Sequence, residues 1–190
     1  MTRPGNRPLP NPRSGRPEGR PPSGLVDPPS VRTEVERAID LAWQAVGIRD
    51  RTVCELRAIL ERKRAEPAAI EAAVAELRQA GYLDDAGYAR RFAQDKRTLE
   101  RWGSERIARD LHRRGVAPEH VQAALEAQSW QAELGSALEL LSQRAPHPPA
   151  DDRGRHRLWS LLVRRGYTPE LAYEAIREHA RRAHGHSQAA

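Results

Sequence analysis

The run Ile107-Ala108-Arg109-Asp110-Leu111-His112-Arg113-Arg114-Gly115-Val116-Ala117-Pro118 contains one helix, its stop and the start of the next. Ile107 and Leu111 stand four residues apart, so they fall on one narrow apolar stripe of a helix. Gly115 follows as the left-handed residue that ends it. Pro118 suits the first position of a new helix, where its missing N–H would have no intrahelical partner anyway.

The same grammar recurs on both sides at a fixed offset of 51 residues. Leu56, Ile107 and Leu158 form one column, and Leu60, Leu111 and Leu162 a second. Lys63, Arg114 and Arg165 make a third, followed by Pro67, Pro118 and Pro169, then Val74, Leu125 and Ile176. Five columns in one register, without a gap, signal an array of supersecondary units. Gly166 repeats Gly115, but Arg64 takes that place in the first unit, so its turn must differ or tolerate strain. Thr52-Val53-Cys54-Glu55 reads as a capping box and Thr168 as a helix cap.

A longer helix precedes each pair, over Glu34–Val46, from an Asp84 cap to about Arg101, and over Leu134–Arg144. The expected fold is therefore all-α, an elongated array of three tandem three-helix, helix-turn-helix-like repeats. They occupy residues 31–80, 81–130 and 131–183, with a stiff Pro-rich break at 145–150. Residues 1–30 carry nine prolines and four glycines with almost no large apolar side chains, and read as a disordered Pro/Gly/Arg-rich arm. Residues 184–190 read as a flexible tail.

Composition agrees. Apolar residues are 38%, charged ones 31% and aromatics only 5%, with Ala and Leu dominating the apolar set, which suits closely packed helices rather than strands. The formal charge is +6, but residues 1–32 alone hold six Arg against Glu18 and Asp27. The rest carries 26 bases against 24 acids, so attraction to phosphate must come from where charge sits. A single cysteine excludes an internal disulfide and a Cys-rich metal site. No apolar run reaches the length of a signal-peptide core or membrane span, so the cytoplasm is the expected compartment.

Charge sorts by helix. Arg90 to Arg114 holds nine bases and four acids, Gly115 to Leu141 four acids and no base, and Arg153 to Arg182 eight bases against three acids. Arg106, Arg109 and Arg113 share a helical face beside the apolar stripe. The contact candidates are these three together with Arg90, Arg97, Arg101, Arg114, Arg164 and Arg165. Most charge runs are solvated helix surfaces, and that reading stands beside the functional one. Asp84-Asp85 is explained by capping, without acid–base or metal chemistry. Tyr82, Leu83, Tyr88 and Phe92 have helical spacing that favours core packing over base stacking. Trp102 is open to two readings, a contact aromatic amid bases or a filler between units. Cys54 reads as a packing thiol, and His179, His184 and His186 as residues of a flexible tail. No phosphate loop, Ser/His/Asp order or His-Glu-x-x-His is present, so no catalytic residue, cofactor or metal is assigned.

The run Gly81-Tyr82-Leu83-Asp84-Asp85-Ala86-Gly87-Tyr88-Ala89-Arg90-Arg91-Phe92 resembles the signature of the RecX regulators of the RecA recombinase. Arg101-Trp102-Gly103-Ser104-Glu105-Arg106-Ile107 with Leu111 and Arg114-Gly115-Val116 looks like that family's second repeat. Thr52-x-x-Glu55-Leu56 looks like its first, and Arg165-Gly166-Tyr167 falls where its third should be. The resemblance implies a cytoplasmic DNA-repair and recombination protein of the SOS response. It would lie on the RecA–DNA filament and inhibit ATP hydrolysis and strand exchange. It implies no catalytic residues. A monomer is expected, and with a net charge of only +2 outside residues 1–32, single-stranded DNA alone should bind weakly. The rival reading is a general DNA-binding or architectural protein, because paired short helices with a Gly turn also resemble helix-turn-helix units.

Overall fold

The computed structural model of the protein describes residues 31–187. The arm expected over 1–30 lies outside these residues, as do the side chains of His184 and His186. The described residues form α1 (Val31–Ile48), α2 (Val53–Arg62), α3 (Pro67–Gln79), α4 (Asp85–Glu100), α5 (Ser104–Arg113), α6 (Pro118–Glu126), α7 (Trp130–Arg144), α8 (Asp152–Arg165) and α9 (Pro169–Ser187). They pack in threes: α1 against α2 and α3, α4 against α5 and α6, and α9 against α7 and α8.

Each triplet buries its own core, and the repeat columns supply it. Leu56 and Leu60 are sealed with Ala38, Ala42 and Val74 in the first unit. Ile107 and Leu111 sit with Ala89, Ala93 and Val121 in the second. Leu162 joins Leu141, Tyr167 and Ala172 in the third, with Leu158 at its edge. Small alanines on the long first helices let neighbouring backbones approach closely.

The three turns are one structure. Ala65, Val116 and Tyr167 N–H groups donate back to the Leu60, Leu111 and Leu162 carbonyls at 3.1, 3.1 and 3.2 Å. The residue before each donor is left-handed, at φ 60° for Arg64, 73° for Gly115 and 89° for Gly166. Arg64 thus tolerates the strain rather than changing the turn, at a cost of about 1 kcal/mol. Pro67, Pro118 and Pro169 each open the following helix.

Several boundaries move. α7 starts at Trp130, four residues before Leu134, because the Ser129 side chain accepts from Ala132 N–H at 3.2 Å and caps it there. α1 extends to Val31 and Ile48, beyond the expected 34–46. α9 continues to Ser187, past the tail boundary at 184. His179 is not a tail residue: it is buried, with Nε2 2.8 Å from the Ala145 carbonyl. Cys54 is exposed to solvent, though its side chain lies against the Gly115 turn. Tyr82 is 61% exposed, with its ring edge-on to Trp43 at 4.7 Å, while Leu83 and Tyr88 are buried and Phe92 half-buried.

Successive units join through a repeated junction. The first turn of α2 meets the α5–α6 turn: the Thr52 hydroxyl donates to the Arg114 carbonyl at 2.6 Å, and Val53 N–H donates to Asp85 Oδ1 of α4 at 3.0 Å. The first turn of α5 meets the α8–α9 turn in the same way. Gly103 N–H donates to the Arg165 carbonyl at 2.9 Å, and Ser104 N–H to Glu133 Oε1 of α7 at 2.7 Å. In both, the unpaired N–H groups of a helix start are satisfied by the next unit. The Thr52 box therefore forms only in part. Its oxygen accepts from Glu55 N–H at 3.1 Å, but the Glu55 carboxylate accepts from Arg49 and Arg114 instead.

Candidate filament and nucleic-acid interface

Placing the nine candidate arginines separates them into two groups. Arg97, Arg101, Arg114 and Arg165 are committed to holding the array together. Arg97 is 8% exposed, and its guanidinium donates to the Ala124 and Leu125 carbonyls at 3.2 and 3.1 Å, closing the C-terminus of α6. Burial holds its pKa below the usual arginine range. As a partner contact it is a correction, because the side chain is sealed inside the second unit.

Arg101 ends α4 in the left-handed conformation at φ 53°, and pairs with Glu139 of α7 at 2.9 Å. Its carbonyl accepts from the Tyr167 hydroxyl at 3.0 Å. Burial pushes that phenol well above its ordinary pKa, so it remains a donor. Arg165 donates to the Glu100 carbonyl at 2.7 Å, and Arg114 pairs with Glu55 at 3.0 Å while its guanidinium lies over the Phe92 ring at 5.0 Å. Part of the charge segregation is therefore internal: the acids of α7, Glu133 and Glu139, face the helix start and the arginine of the unit before it.

Arg90, Arg109, Arg113 and Arg164 are exposed, with Arg113 paired to Asp110 one turn back on its own helix. Arg106 lies between the groups, half-buried with its guanidinium 3.8 Å from the Trp102 ring centre. Lys96 covers the same ring at 4.8 Å, and Trp102 is only 7% exposed. It is therefore not an exposed contact aromatic but part of the second unit's own core, rather than the filler between units that the sequence also suggested. The face expected from Arg106, Arg109 and Arg113 thus reduces to its last two members.

Among the exposed arginines that the sequence reading did not single out is Arg62. Arg62 ends α2 as Arg113 ends α5 and Arg164 occupies the last turn of α8, and all three are exposed. They share one column of the 51-residue period, a signal already present in the sequence. Positive side chains at helix C-termini also favour the helix dipole, which acts at the end of each of the three helices.

The match to known proteins follows the same units. Residues 84–125, spanning the helices α4–α6, match the model of the RecX second three-helix domain. A regulatory protein RecX from Deinococcus radiodurans is 32% identical over 151 residues, which cover 79% of this chain and 72% of that protein. The chain belongs to the RecX family. A regulatory protein RecX from Leptothrix cholodnii is 31% identical over 136 residues, covering 72% of this chain and 85% of the other. The crystal structure of RecX from Lactobacillus salivarius superposes with a TM-score of 0.71 at 16% identity, covering 78% of this chain and 98% of that one. The RecX fold is therefore shared at low identity, as expected when the period, the left-handed turns and the apolar columns specify it. Among the described residues no helix is long and apolar enough to cross a membrane.

Proposed function

We propose that this RecX-family protein is a cytoplasmic inhibitor of the RecA recombinase that binds the RecA–DNA filament and suppresses its ATPase and strand exchange. The observation that carries the reading is the column Arg62, Arg113 and Arg164. One exposed cation at the same position of three successive units suits a target that is itself periodic. Arg90 and Arg109 add exposed charge on the second unit. The chain acts as a monomeric binding protein, with no catalytic residues. Outside the first 32 residues the net charge is only +2, so attraction to phosphate is modest and single-stranded DNA alone binds weakly.

The test is RecA ATPase on single-stranded DNA, with this protein added after the filament has assembled. A coating protein acts by denying RecA its lattice, so its effect fades once RecA is loaded. The expected result is inhibition of preassembled filaments at well below one molecule per RecA, persisting at moderate salt. Inhibition that requires DNA saturation and vanishes when RecA is loaded first would replace this reading with general DNA binding.

A further inference from the structure

Each junction has two halves: a helix start that donates, and a Gly turn that accepts. The accepting glycine serves the neighbour as well as its own backbone. A Cβ on Gly115 would lie 2.3 Å from Cys54 Cβ, and one on Gly166 would lie 2.3 Å from Arg106 Cβ. The preceding unit's helix start sits where a side chain would be. Three units offer three accepting turns and three helix starts, but two junctions use only two of each. Among the described residues, the α2–α3 turn and the start of α8 are left over.

Both leftover halves depart from the repeat, each in a way that spoils docking. The α2–α3 turn keeps the backbone and hydrogen bonds of the other two, yet carries Arg64 where docking requires glycine. The donating half is altered by length. The residues that correspond to Thr52 and Gly103 in the 51-residue register is Gly154, which lies inside α8 rather than before it. α8 is 14 residues long against 10 for α2 and α5, because Asp151 starts it one turn early and accepts from Gly154 N–H at 2.7 Å. The N–H groups that would reach a further turn are thus consumed within the helix.

We infer that Arg64 and the extra first turn of α8 are stops that close the two ends of the array to a second copy of this chain. The partner they exclude is defined by the junction itself: the helix start of one molecule's third unit entering the α2–α3 turn of another. Such a contact is head-to-tail, so without stops it would propagate into an open filament or close into a ring. Terminal repeats of stacked arrays need outer faces that refuse further stacking, and here two positions meet that need. The inference is independent of the filament reading, since it concerns only self-association.

The experiment opens both ends together. Arg64→Gly frees the turn. Asp151→Arg, Gly154→Thr and Arg155→Val give the start of α8 the sequence that precedes and begins α2 at Arg49, Thr52 and Val53, with Asp152 and Arg153 already matching Asp50 and Arg51. Sedimentation velocity is read up to about millimolar protein, the effective concentration that a short linker gives the internal junctions. The native chain and either half-opened variant are expected to stay monomeric, and the fully opened one to grow with concentration. A fully opened variant that keeps its helicity and remains monomeric overturns the inference, as does a native chain that itself elongates. If the opened variant loses helicity, the converse variant decides. Gly115→Arg puts the stop into an existing junction, and small-angle scattering should then show a larger radius of gyration as the first unit undocks. An unchanged radius would mean that an arginine there stops nothing.

Discussion

Arg97 and Arg109 are both arginines of the basic stretch, yet they have opposite consequences for folding. Arg97→Ala removes the donors from two α6 carbonyls inside the second unit, and should cost about 2–3 kcal/mol in urea titration. Arg109→Ala changes an exposed side chain and should stay within about 0.5 kcal/mol. The same contrast holds between Leu111, fully buried, and its exposed neighbour His112. Leu111→Ala should cost about 2–5 kcal/mol through the cavity it leaves, and His112→Ala about 0.5 kcal/mol or less. Similar losses within either pair would mean that burial is misassigned. Composition cannot make this distinction, because a guanidinium serves a buried carbonyl as well as it serves a phosphate.

The turns and junctions permit a sharper comparison, because three positions share one backbone and differ only in their neighbours. Gly115→Ala adds both a left-handed residue penalty of about 1 kcal/mol and a clash with Cys54, so melting should fall by more than that penalty predicts. Arg64→Gly meets no neighbouring helix start and relieves the penalty, so thermal melting should hold or rise slightly. The turns were legible in the sequence since their signals are local: a glycine or its substitute, a proline three residues on, an apolar pair before them. The junctions were not. Thr52 and Arg114 are 62 residues apart, and Gly103 and Arg165 likewise, and the groups that meet are largely backbone atoms common to every residue. The Ser129 cap was within reach of sequence reasoning, but the weak apolar pattern around Trp130 hid it.

At the scale of the molecule, the three-unit array followed from the period alone, whereas the contact surface did not, because charge segregation mixed internal pairs with exposed ones. The exposed column is testable as a set. Reversing Arg62, Arg113 and Arg164 to Glu should leave the melting temperature nearly unchanged and weaken binding to the RecA–DNA filament. On single-stranded DNA the slope of log affinity against log salt should flatten by about 2 if all three meet phosphates, at roughly 0.7 each. A slope that stays constant would place the phosphate contacts on other residues.

Three cores built from neighbouring stretches of chain also govern how the protein comes off the ribosome. Contacts within a unit are short-range in sequence, so each triplet can collapse soon after it emerges, without waiting for distant partners. The starts of α2 and α5 are the exceptions: the Val53 N–H and Thr52 hydroxyl find Asp85 and the Arg114 carbonyl only after the second unit exists, and the Gly103 and Ser104 N–H groups find the Arg165 carbonyl and Glu133 only after the third. The first unit is thus finished by the second and the second by the third, and synthesis proceeds with one incomplete helix start always at the growing end. Hydrogen exchange on stalled nascent chains should therefore show Val53 N–H protected only once the second unit, through the end of α6, has cleared the exit tunnel.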